Sequence, residues 1–143
     1  MALSFEYTDS IQLLLEQCQD RVRSHSASEL PREAVGILSA GGRLYPLINQ
    51  RRSGHAFMVS SVFIAEGIQW LEDRNDTSVA FYHSHPTTPA TPSADDVAMM
   101  RSTPNITHVI AGIDRIAAYL CEDATSPPLL IAEVHNGEHP HTA

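Results

Sequence analysis

Val79-Ala80-Phe81-Tyr82-His83-Ser84-His85-Pro86, then Thr87 to Pro92, then Ser93-Ala94-Asp95-Asp96, is the stretch on which the fold turns. From Val79 to His85 the side chains alternate, with Ala80 and Tyr82 set against Val79, Phe81 and His83, as a strand requires. Pro86, Pro89 and Pro92 rule out regular structure in the next segment and stiffen it. Ser93 followed three positions later by Asp96 fits a capping box, so a helix opens at Ser93 and stops before Pro104. The pattern is strand, rigid loop, helix.

Working outward, His108–Ile113, Ile116–Cys121 and Leu129–His135 read as further strands. Upstream, Thr8 or Asp9 is expected to cap a helix carrying Ile11, Leu14, Leu15 and Cys18 at helical spacing and running to about Ser24. Ser26 to Pro31 reads as a polar connection. Ala34–Leu38 is a short apolar strand, and Gly41-Gly42 turns it into a partner at Arg43–Ile48. Gln50 to His55 is expected to be an exposed loop. A second helix starts at Ser60 or Ser61, presents Phe63, Ile64, Ile68 and Leu71 on one face, and ends at Arg74-Asn75. This order of elements predicts an α+β protein, an α/β/α sandwich around one mixed β-sheet flanked by helices.

Composition narrows the function. The chain has 143 residues, enough for one domain with a sizeable core. Its formal charge of −8 disfavours nucleic acid as a partner. There is no apolar run long enough to span a membrane and no signal-peptide pattern, so a cytoplasmic protein is expected. All basic residues are arginine, so lysine-based nucleophilic catalysis is excluded. Cys18 and Cys121 form no paired motif and read as two buried thiols.

The chemistry resides in the same stretch. Two histidines at alternate strand positions place their imidazoles on one face, about 7 Å apart along the backbone, where they can converge on one metal ion. Asp96 can be a third ligand, and three protein ligands leave a position open for water, as in catalytic zinc sites. Each part also has a plain reading: a strand end, a proline-punctuated loop, a capped helix. Glu33 at the edge of the apolar strand is either a solvated boundary residue or a base beside the metal. Asp95 is expected to face away from the site, and Ser93 can donate a hydrogen bond to an oxyanion. His135, His139 and His141 read as part of a His-rich tail, and His25, His55 and His108 as surface or boundary residues.

Taken together, His83-Ser84-His85-Pro86, six residues, and Ser93-Ala94-Asp95-Asp96 resemble the JAMM signature HxHPx(6)SxxD, and Pro31-Arg32-Glu33-Ala34-Val35-Gly36 resembles the upstream block PxExxG. The chain is thus similar over most of its length to the prokaryotic JAMM (JAB/MPN-plus) zinc metalloproteases. The resemblance implies a JAB/MPN fold related to cytidine deaminase architecture, in one domain over residues 1–136; residues 137–143 are read from their position and composition as a flexible tail. It implies Zn2+ held by His83, His85 and Asp96, with Glu33 as general acid/base and Ser93 as the oxyanion-stabilising serine. The implied activity is that of a peptidase or isopeptidase: water on the zinc attacks the bond after the C-terminal Gly-Gly of a small ubiquitin-like or sulfur-carrier protein. Val35 stands where many members have cysteine, and there is no obvious room for the insertions that grip ubiquitin linkages. The alternative is a non-catalytic MPN scaffold, which would lack the ligand set. A nucleoside deaminase is disfavoured, because its H-x-E…P-C-x-x-C signature is absent. Substrate identity and oligomeric state are not legible.

Overall fold

Alternation in the decisive stretch produces a strand buried on both faces. In the computed structural model, which describes residues 5–51 and 58–136, β3 runs Ser78–Ser84. Its Ala80 and Tyr82 enter one apolar cluster, while Phe81 packs against another on the opposite face. The other elements in chain order are α1 (Phe5–Glu29), β1 (Val35–Ser39), β2 (Leu44–Leu47), α2 (Ser61–Glu72), α3 (Ala94–Ser102), β4 (Thr107–Ala111), β5 (Arg115–Leu120) and β6 (Leu129–His135). They build one six-stranded sheet in the order β2-β1-β3-β4-β5-β6. Every neighbouring pair is antiparallel except β3 and β4, which are parallel. A parallel pair needs a crossover, and here the proline loop and α3 supply it. The sheet is mixed and the class α+β, as the sequence predicts.

The faces sort by residue type. α1 lays Ile11, Leu14, Leu15, Cys18 and Val22 over the sheet against Tyr82, Val109 and Ile116. On the other face α2 covers Val35, Ile37 and Leu47, and α3 brings Met100 onto Ile110, Ala117 and Tyr119. Cys18 and Cys121 are both buried, on opposite faces, so they cannot pair.

Helix α1 corrects an expectation at both ends. Thr8 and Asp9 lie inside it rather than capping it, and it continues through the supposed polar connection to Glu29. The polar residues stay helical by bonding back onto the preceding turn: Ser10 Oγ donates to the Glu6 carbonyl and Ser28 Oγ to that of His25. Val22 extends the buried stripe, and His25 anchors the last turns by a hydrogen bond to the Tyr82 hydroxyl. The α2 cap is Ser60, whose side chain accepts from the Val62 N–H, and its predicted apolar face packs on the sheet. The Gly41-Gly42 turn is present, with Gly42 at φ 80°, a backbone region that suits glycine. The expected exposed loop and His-rich tail fall largely at 52–57 and 137–143, so His55, His139 and His141 lie outside the described residues. No helix among the described residues is long and apolar enough to cross a membrane.

Candidate metal centre

Three elements meet at the C-terminal end of β3. His83 is the penultimate strand residue, and His85 lies just past the end at Ser84 rather than within the strand as expected. The His85 N–H still bonds to the Ala111 carbonyl of β4 at 2.8 Å, which holds it in line. Ser93 caps α3: its Oγ accepts the Asp96 N–H at 3.1 Å, and Asp96 Oδ2 accepts the Ser93 N–H at 3.0 Å. The cap therefore aims the Asp96 carboxylate back toward the histidines. Asp96 Oδ1 lies 3.1 Å from His83 Nε2, and Oδ2 lies 2.9 Å from His85 Nε2. All three side chains are buried, and one ligand atom from each falls within 4.8 Å of the others. Asp95 is exposed, as expected.

Whether this donor set suits a metal depends on lone pairs. His85 Nδ1 is 2.9 Å from the Pro89 carbonyl, which can only accept, so Nδ1 carries the proton. In the neutral ring Nε2 then has a lone pair facing His83 and Asp96. Two imidazoles and a carboxylate, converging and shielded from water, are a set that divalent zinc takes. The charges agree. Burial acts to raise the Asp96 carboxyl, but His83, His85 and the Ser93 N–H hold it far below the usual range. Burial lowers the pKa of His83 despite Asp96. At His85 burial is outweighed by Asp96 and the Pro89 carbonyl, with Glu33 adding to the rise.

Glu33 is brought to the same place by the β1/β3 pairing. Val35 faces His83, and one residue further out the Ser84 N–H bonds to the Ala34 carbonyl at 2.9 Å while the Ala34 N–H bonds to Ser84 Oγ at 2.7 Å. Continuing that register sets Glu33 across from His85. It is only 5% exposed, which removes the reading as a solvated boundary residue. Burial pushes its carboxyl up to about 7, with His85 opposing the shift and Asp96 adding to it. Ser93 is exposed, and since its oxygen only accepts from the Asp96 N–H, its own O–H remains able to donate.

The sequence reading missed two buried residues. Asn49 is 3% exposed and pins Glu33: its amide donates to the Glu33 carbonyl at 2.8 Å, and its side-chain oxygen accepts from the Arg51 and Met58 N–H groups. Its only signal was an asparagine directly after an apolar strand. His108, expected at a surface or boundary, is buried. Strand parity places it on the α3 face, bonded to Thr103 Oγ1 at 3.1 Å and tilted against Phe81. Burial, with His83 adding, pushes its pKa down to about 4. His108 and His83 form part of the wall of a cavity of about 170 Å3 between α2 and α3, lined mainly by Val35, Leu47, Phe81 and Met99. His25 is half-buried against Tyr82, and His135 is exposed and bonded to Glu133.

Comparison with known proteins gives the family and the fold. The chain is 29% identical over 116 residues, 78% of its length and 77% of the relative's, to a probable TtuB-protein conjugate cleaving protease of Thermus thermophilus. Its fold resembles the solution structure of a Desulfitobacterium hafniense protein, with a TM-score of 0.68 and 22% identity covering 88% of this chain and 93% of that one. A Salinibacter ruber protein gives a TM-score of 0.50 at 19% identity, covering 87% and 90% of the two chains. Residues 15–122 match the family described as prokaryotic homologs of the JAB domain. With the match spanning most of the chain, this protein belongs to the prokaryotic JAB (JAMM) family.

Proposed function

We propose that this chain is a zinc-dependent peptidase or isopeptidase that cleaves after the C-terminal Gly-Gly of a small ubiquitin-like or sulfur-carrier protein. The carrying observation is that the ligand atoms of His83, His85 and Asp96 converge, with a buried carboxyl, Glu33, beside them. The Thermus relative, named for cleaving a protein conjugate, supports the substrate class. In this reading His83, His85 and Asp96 hold the ion. When bound, it supplies Lewis acidity and makes water acidic enough to act near neutral pH.

The chain's own residues do the rest. Glu33, with a carboxyl near 7, takes a proton from water and returns it to the leaving amine. The Ser93 O–H donates to the oxygen of the attacked carbonyl. Asp96 serves both as ligand and as the cap that orients α3, so the helix start and the ion share one carboxylate. β2 is the outermost strand on the Glu33 side of the sheet and offers an edge along which an extended tail can lie.

The test is Glu33→Gln. It is expected to bind zinc at one ion per chain and to lose at least about 100-fold in turnover of a Gly-Gly-extended carrier, followed by mass spectrometry of the products. Full turnover in that variant would falsify the assignment of the base. A folded wild-type chain that takes up no zinc would favour the scaffold reading.

A further inference from the structure

We infer that Tyr119 and Asp114, which lie outside the signature, are positioning residues that hold His85 and Asp96 at metal-binding distance by clamping the loop between them. The inference rests on the reading of His83, His85 and Asp96 as metal ligands. The loop from Pro86 to Pro92 joins His85 to the capped start of α3, which carries Asp96, so its path sets their separation. Prolines restrict that path but do not attach it to the sheet. The attachment is made at Ala90, which is fully buried. Its N–H donates to Asp114 Oδ1 at 2.9 Å and its carbonyl accepts the Tyr119 hydroxyl at 2.7 Å. Both main-chain polar groups of one loop residue are thus held by β5 and the turn before it.

Neighbouring contacts show a built seat rather than a chance approach. The Ile113 N–H donates to the Thr88 carbonyl at 3.1 Å. Gly112 has no side chain, and a Cβ there would come within 2.2 Å of the Ala90 nitrogen, so the loop rests directly on the turn. The Tyr119 hydroxyl receives a hydrogen bond from Arg115 Nη2 at 3.2 Å, and Arg115 in turn is paired with Glu133 on β6. That chain of donors orients the hydroxyl proton toward Ala90. One residue before Ala90, the Pro89 carbonyl accepts His85 Nδ1–H at 2.9 Å. Fixing Ala90 therefore also fixes the group that sets the His85 tautomer and ring orientation. Groups one step removed from a metal ligand commonly act on affinity in this way.

The test uses the purified metal-free full chain as wild type, Tyr119→Phe, Asp114→Ala and Asp114→Asn. Zn2+ affinity is measured by chelator competition, the coordination by Co2+ absorption, and metal-free stability by urea unfolding. Tyr119→Phe keeps the ring in its cluster and removes only the donor. It and Asp114→Ala are expected to bind one ion about ten-fold more weakly or worse, with an altered Co2+ spectrum. Asp114→Asn retains an oxygen to accept the Ala90 N–H and is expected to rescue binding to near the wild-type level. Wild-type affinity and spectrum in both Tyr119→Phe and Asp114→Ala would overturn the proposal. So would weakened binding that only follows lost metal-free stability, or that Asp114→Asn shares in full. A wild-type chain that takes up no Zn2+ overturns the metal reading itself, and the positioning role with it.

Discussion

Two buried aspartates sit at opposite ends of the β1/β3 pair, and they do opposite things. Asp76 lies before β3, and its oxygens receive hydrogen bonds from Ser39 Oγ at 2.6 Å, Arg43 Nη1 at 2.7 Å, Thr77 N at 2.8 Å and Gly41 N at 2.9 Å. Asp96 lies beyond the other end, against His83, His85 and its own cap. Burial acts to raise both carboxyls, and in both the partners hold them far below the usual range. Burial and ionisation therefore do not tell the two apart. Partner chemistry does. The groups around Asp76 are permanent donors that close the β1–β2 hairpin. The imidazoles facing Asp96 can donate a proton or a lone pair, so that cluster can exchange its internal hydrogen bonds for a cation.

The largest expected effect separates the two ends outright. Asp96→Ala should abolish stoichiometric zinc binding and lower turnover by at least about 1,000-fold, because two histidines alone make a poor site. The metal-free fold should lose about 1–2 kcal/mol, because the Ser93 N–H and the two buried imidazoles lose their shared partner. Asp76→Ala should show the reverse. It strips the donors of Ser39 and Arg43 and two main-chain N–H groups of their acceptor, at a cost of about 3 kcal/mol. Zinc affinity of the folded fraction should be unchanged. Urea unfolding and chelator competition on both variants check the pair, and a metal defect in Asp76→Ala would break the comparison.

Acid should sharpen it next. His108 has a folded pKa near 4 against about 6.5 in an unfolded chain, so between these values only the unfolded chain takes the proton. The stability it permits is complete above about pH 6.5 and is lost as pH falls toward 4, up to about 3 kcal/mol. Asp76 is depressed instead, so its contribution is present above about pH 3.9 and is lost only in stronger acid. The His108 contribution should therefore fail at a higher pH than the Asp76 contribution. Urea unfolding of metal-free wild type and His108→Gln at pH 7 and pH 4.5 measures this. A wild-type slope as flat as that of the variant would remove the His108 contribution.

What could be read from the sequence follows the same division. Short-range patterns were legible: the β3 alternation, the proline loop, the Ser93 cap and the Gly41-Gly42 turn are each set within a few residues. The ends of α1 were not, because Ser10 and Ser28 turn their hydroxyls onto the helix backbone and the last turn is tied to Tyr82, far along the chain. His108 was misplaced for a related reason: strand parity gives its face, but only the packing of α3 buries that face. The histidine pair and Asp96 stood out through their spacing, whereas Glu33 stood out only through the resemblance of its segment to the block PxExxG. Asp76 and the clamp on Ala90 left no local pattern, and Asn49 left only its place after an apolar strand, since their partners come from distant segments.

Asn49 gives the smallest effect and the finest test of the site end. Its amide holds the Glu33 carbonyl, so it acts on where the base sits. Asn49→Ala should therefore leave zinc affinity within about two-fold while lowering kcat roughly ten-fold, because misplacing a catalytic group by a fraction of an ångström slows proton transfer. KM should move less than kcat. The loss of an acceptor for the Arg51 and Met58 N–H groups should also cost about 1–2 kcal/mol, read independently by unfolding. Asn49→Asp separates the contributions: it keeps that acceptor and restores most of the stability, yet it cannot donate to Glu33, so the kcat defect should persist. If Asn49→Asp instead recovered turnover together with stability, Asn49 would belong with Asp76 among the groups that hold the fold, and the boundary of the site would fall at Glu33.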